Sequence, residues 1–136
     1  ITSSIGGMAS ASIPATSRHT NSSILFLTGH NTNGEMPDDI NWEAVAKIPV
    51  VVMYMAIKHL PVIAQRLIKE GRPSNDRIAV IQDATLKSER VLESNLMKIN
   101  SDIEKNQIKA PAIVVLGSVV GLRSKLIQNV IKDAIN

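Results

Sequence analysis

Four short apolar runs, each the length of a β-strand, constrain the fold of this 136-residue chain more than any other feature. They are SSILFL (22–27), IPVVVMY (48–54), IAVI (78–81) and AIVVL (112–116). Their length and, in the second, a β-branched centre predict buried strands rather than helices. The segments between them change period. Residues 59–70 place Leu60, Ile63, Ala64, Leu67 and Ile68 at helical spacing, with Gly71 as a C′ residue and Pro73 beyond it. Residues 90–106 predict a short strand running into an amphipathic helix, and residues 124–135 a closing helix with Leu126, Ile127, Val130 and Ile131 on one face. Asn41 is a candidate N-cap for a helical turn at Trp42-Glu43-Ala44, after the polar loop NTNGEMPDD (31–39). Strands alternating with helices of about ten residues define α/β architecture with at least partly parallel pairing.

In such sheets ligands bind where the loops leave the carboxyl ends of the strands. Those ends are Thr28-Gly29-His30, Tyr54-Met55-Ala56, Asp83-Ala84-Thr85 and Gly117-Ser118. If the strands are all parallel, the four form one rim, and their small residues let a ligand approach the backbone. His30, at a strand end, is a candidate functional group. His59 reads as a surface residue at a helix start, and Asp38-Asp39 as a solvated pair.

Composition removes several alternatives. The chain has one Trp, one Tyr and one Phe, and its +3 charge comes from scattered basic residues. It therefore offers no stacking platform for bases, and nucleic acid is not an expected partner. No apolar run approaches the ~20 residues that span a bilayer, so no membrane partner is expected either. No cysteine is present, which excludes disulfides and cysteine-based metal sites and fits a cytoplasmic compartment. The three His, at 19, 30 and 59, show no metal-ligand spacing, and no metal is expected. The sequence contains no HExxH, GxSxG, P-loop or GxGxxG pattern.

Six collinear segments carry a family resemblance. ITSSIGGMASASIPATSR is similar to a "TSA…AGIP(L/V)THR" pattern, SSILFLTGH to "SSVTFVTGH", and NWEAVA to "DWEALA". VVVMYMAIKHL resembles "TLVVYMGLxxL", IAVIQDATLKSERVLESNL resembles "VAVIENGTxxxQRVVxGTL", and APAIVVLGSVVGLRSKL resembles "SPALIVVGEVVALRDKL". Together they resemble the C-terminal domain of uroporphyrinogen-III C-methyltransferases, in the tetrapyrrole methylase family. The resemblance implies an α/β domain with a mixed sheet of four to five strands flanked by helices, covering residues 1–136 as a single domain. It further implies a cofactor, S-adenosylmethionine, leaving as S-adenosylhomocysteine from a cleft shared with an N-terminal domain that this chain lacks. The implied cofactor contacts are Thr2, Ser3, Met55 and Ala84. Arg18 and Met55 are the implied contacts to uroporphyrinogen III, whose eight carboxylates suit a guanidinium. No catalytic base is assigned. A homodimer is implied, and the chain by itself is expected to be inactive.

The chain departs from the family pattern at Ser12 and Ser17, which replace Gly and His, and at Ala56 and Ala84, which both replace Gly. An Ala at position 84 requires that this turn residue not be left-handed. A non-catalytic association module, or a tetrapyrrole methylase of other specificity, is the competing reading.

Overall fold

A computed structural model describes residues 2–136. Its strands are β1 (Leu25–Thr28), β2 (Val51–Tyr54), β3 (Arg77–Gln82), β4 (Arg90–Asn95) and β5 (Ala112–Leu116). They make one mixed sheet in the order β1-β2-β5-β3-β4. The helices are α1 (Ser3–Ser10), α2 (Trp42–Lys47), α3 (Leu60–Lys69), α4 (Ile99–Lys105) and α5 (Arg123–Ile135), with short 3-10 segments at Ile57–His59 and Ser118–Leu122.

Three of the four apolar runs become the inner strands β2, β5 and β3, where both faces of the sheet are covered, and the first becomes the edge strand β1. Val51, Met53, Val80 and Leu116 face α2, α3 and α4, meeting Val45, Leu60, Ile63 and Ile99. Val52, Ala79, Ile81 and Val115 face the opposite way, toward Met8 and Ala11 and the Val119-Val120 turn. A strand buried on both sides needs no polar alternate positions, hence the unbroken runs. In α3, each of the fully buried Leu60, Ile63 and Leu67 contributes about 2–3 kcal/mol through burial.

The ends of the elements follow the sequence signals. Asn41 caps α2 by accepting the Ala44 N–H at 3.1 Å. Helix α3 ends at left-handed Gly71 (φ +98°), with Gly71 N–H to Ile68 O and Arg72 N–H to Leu67 O, a Schellman pattern. Arg72, 5% exposed, then reaches back to the start of β2. It donates to Ile48 O at 2.6 Å, Pro49 O at 3.0 Å and Asp76 Oδ2 at 2.7 Å.

One expectation needs correction. Strand β5 is antiparallel to both β2 and β3, so Gly117-Ser118 lies at the edge opposite the other three strand ends. The start of β5, Ala110-Pro111-Ala112, takes its place on the rim. Residues 3–10, for which the sequence pattern predicts no element, form α1. Finally, α5 forms where expected, but none of its residues is buried, and Leu126, Val130, Ile131 and Ile135 are exposed.

Candidate functional site

Strands β1, β2 and β3 run in the same direction, so Gly29, Met55 and Asp83 emerge on one edge. Just below that edge Thr28, Tyr54, Ile113 and Ile81 form a row across the sheet. Above the row opens a cavity of about 620 Å³, of the size that small-molecule sites occupy. Its walls include the apolar side chains of Met55, Ile81, Leu86, Pro111 and Ile113. A few polar groups, among them Ser3, His30, Tyr54, Lys58 and Asp83, break the apolar lining.

Two close approaches shape these walls. A Cβ on Gly29 would lie 2.5 Å from Ala56 Cα and 2.7 Å from Ala56 Cβ, so the chain leaving β1 crosses the chain leaving β2 with no room to spare. The Gly29 N–H donates to Tyr54 O at 2.7 Å at this crossing. A Cβ on Gly7 would fall 2.7 Å from Ile113 Cδ1 and 3.0 Å from Ala84 Cβ, so α1 presses on the sheet and on the turn after β3.

The backbone is unusual where it borders the cavity. Met55 is left-handed (φ +49°), 52% exposed, and part of the cavity lining. Asp83 (φ +50°) and Thr85 (φ +70°) are also left-handed, and Ala84 between them is not. The expectation for Ala84 holds, because its neighbours take up the positive φ angles. Among the described residues, no hydrogen bond uses the Ala84 N–H or carbonyl. An apolar cavity beside a free backbone donor and acceptor fits the flat, edge-polar adenine ring of the implied cofactor.

At the floor, the Tyr54 hydroxyl donates to the fully buried Ser4 Oγ. Burial pushes the Tyr54 phenol up, but hydrogen bonds that Ser4, Ser3 and Thr2 can donate to the phenolate outweigh it and leave the group below its ordinary value. To one side, His59 Nε2 bonds Gly34 O at 2.9 Å and its ring meets that of His30 edge-on at 6.5 Å. His59 thus holds the 31–39 loop against α3, while His30 borders the cavity.

Of the residues singled out from the sequence, Ser3, His30, Met55 and Ala84 come together on this cavity. Thr2 is the N-cap residue of α1; its hydroxyl makes no capping bond and lies 3.3 Å from Ser4 Oγ. Arg18 stands apart. It is exposed, forms no ion pair among the described residues, and borders a separate polar cavity of about 510 Å³ made by residues 16–22. Tyr54 and Asp83, placed on the rim as strand-end residues without a role of their own, also line the cavity at the carboxyl edge. Sequence reasoning missed Lys58 and Pro111.

A mixed α/β sheet with an apolar, backbone-accessible cavity at its carboxyl edge is the arrangement in which α/β proteins place small-molecule sites. Comparison with known proteins specifies it further. Residues 1–100 match the family of Tetrapyrrole (Corrin/Porphyrin) Methylases, and the chain belongs to that family. It is 44% identical over 127 residues to a uroporphyrinogen-III C-methyltransferase of a Sinorhizobium species, covering 93% of this chain and 45% of that protein. It is 40% identical to a siroheme synthase of Azotobacter vinelandii, covering 93% of this chain and 27% of that one. The chain thus spans less than half the length of these relatives. Its fold matches the Thermus thermophilus uroporphyrin-III C-methyltransferase complexed with S-adenosylhomocysteine (TM-score 0.73, 23% identity, 85% of this chain and 50% of that chain). It also matches a cobalt precorrin-4 methyltransferase (TM-score 0.77, 15% identity, 88% of this chain and 50% of that chain).

Proposed function

We propose that this chain supplies one half of a cleft in which S-adenosylmethionine methylates carbon atoms of uroporphyrinogen III, giving precorrin-2 and S-adenosylhomocysteine. The observation that carries the reading is the convergence of Ser3, Met55 and Ala84 on one cavity at the carboxyl edge of the sheet. The kinship with uroporphyrinogen-III C-methyltransferases and siroheme synthases supports it. When bound, S-adenosylmethionine supplies a methyl group already activated on its sulfonium. The chain's contribution is alignment and exclusion of water. The N–H and carbonyl of Ala84 would hold the adenine edge. Thr2 and Ser3 would meet the cofactor's polar groups. Met55, exposed and flexible, would form the wall between cofactor and macrocycle. Arg18, in its separate cavity, would take one of the substrate's carboxylates. The partners in this reading are an amino-terminal domain that completes the cleft and a second copy of the protein. The reading makes the whole a cytoplasmic homodimer and the lone chain inactive.

The test is a methylation assay with uroporphyrinogen III and isotopically labelled S-adenosylmethionine, using the chain, a separately made amino-terminal half, and their mixture. Label should enter the tetrapyrrole only in the mixture. A mixture that forms a complex and transfers no label overturns the proposal.

A second reading, a non-catalytic association module, is favoured by the unburied apolar stripe of α5. It expects a stable complex with neither cofactor affinity nor methyl transfer.

A further inference from the structure

The turn after β3 forms one wall of the cavity through Asp83, Ala84 and Leu86, and its backbone is strained. Thr85 is left-handed, which is costly for a β-branched residue and persists only where neighbours hold it. Within the turn, Leu86 N–H bonds Asp83 O and Glu89 N–H bonds Leu86 O, each at 3.0 Å. These bonds close the turn on itself, and the Asp83 N–H, donating to Pro111 O at 3.1 Å, ties its first residue to the start of β5. The turn's hydrogen-bonded attachment to α1 is one carboxylate oxygen. Glu89 Oε2 accepts the Thr85 N–H at 2.6 Å and also the hydroxyl of Ser10, at the far end of α1. Helix α1 carries Ser3 at its other end, in the lining of the same cavity. Gly7, midway along it, lies against Ala84.

We infer that Glu89 is a positioning residue that clamps the 83–89 turn to α1, fixing the backbone of Ala84 relative to Ser3 for the adenosyl group. This inference rests on the cofactor reading given above and names the residue that sets the geometry. Glu89 itself is absent from the cavity lining, so its effect passes through Thr85 and Ser10. A carboxylate accepting from a backbone N–H and a hydroxyl makes two charge-assisted bonds, stronger than neutral ones. Removing it leaves Thr85 free to return to the extended or helical region, which moves Ala84.

Two measurements on Glu89→Ala and Glu89→Gln test the inference. The first is amide hydrogen exchange in this chain. In Glu89→Ala, exchange at Thr85 should accelerate about tenfold or more, while amides of β5 stay protected. In Glu89→Gln, which keeps a carbonyl acceptor, it should change far less. Unchanged exchange at Thr85 in Glu89→Ala overturns the clamp. The second is titration of S-adenosylhomocysteine into the chain with the amino-terminal half present. Affinity should fall about tenfold in Glu89→Ala and recover most of that in Glu89→Gln. Equal affinity in Glu89→Ala and the unsubstituted protein overturns the positioning role. If the unsubstituted protein binds no S-adenosylhomocysteine, the cofactor reading fails and the positioning role falls with it. The exchange experiment judges the clamp in either case.

Discussion

Gly29→Ala puts a single methyl group into the crossing of the chains that leave β1 and β2. Gly29 is not left-handed, so the substitution carries no backbone strain and its cost is steric alone. The added Cβ would sit 2.5 Å from Ala56 Cα, 2.7 Å from Ala56 Cβ and 3.0 Å from Ala56 N. Two of those three atoms are backbone, which no rotamer change moves. The two loops must separate. Overpacking of this kind costs about 1–3 kcal/mol, and the backbone contacts place this case at about 2–3 kcal/mol. For a chain of this size, each kcal/mol lowers the melting temperature by about 3 °C, so the expected fall is about 6–9 °C. The single, buried Trp42 reports unfolding by fluorescence, with circular dichroism as the second probe. Adding Ala56→Gly should restore only part of the loss, because it removes the Cβ contact and leaves the Cα and N contacts. Because the displaced loops carry His30 and Met55, ligand affinity should fall in parallel. A neutral Gly29→Ala, or full recovery in the double variant, would refute the crossing geometry.

Other expectations follow from the same contacts. Arg72→Ala should destabilise by about 3–5 kcal/mol in urea unfolding with an unchanged denaturant slope, since it strands the Ile48 and Pro49 carbonyls and removes the partner of Asp76. Ser12 is left-handed (φ +57°), so Ser12→Gly should raise stability by about 0.5–1 kcal/mol in the same assay. Tyr54 is the one tyrosine, so phenolate absorbance near 295 nm reports it alone. Its midpoint should lie below that of a free tyrosine and rise in Ser4→Ala. With the folded value depressed, the native state releases this proton before the unfolded chain does. Its contribution to stability should therefore grow as pH rises through the folded value toward the ordinary one, and vanish below that window.

The inner strands were legible because burial on both faces writes itself as an apolar run, and Met55 and Ala84 were legible as rim residues because the cavity lies where such runs end. Helix α1 was not. Its SSIGGMAS sequence has two glycines and no long aliphatic stripe, so tertiary packing of Met8 and Gly7 against the sheet overrides a poor local propensity. The direction of β5 was illegible for another reason: an apolar run carries no sign of which way it pairs. With Gly117 moved to the far edge, Pro111 entered the site unforeseen. The stripe on α5 was read correctly, yet periodicity says only that a face is apolar and not that this chain covers it. The Glu89 contact spans 79 residues of sequence to Ser10, beyond the reach of any local pattern.

The central claim is that the cavity at the carboxyl edge is half of an S-adenosylmethionine site. Calorimetric titration of S-adenosylhomocysteine, into the chain alone and into its mixture with the amino-terminal half, tests that claim most directly. The account predicts binding that appears or strengthens only in the mixture and disappears in Met55→Asp. A mixture that forms a complex and binds no S-adenosylhomocysteine would contradict it.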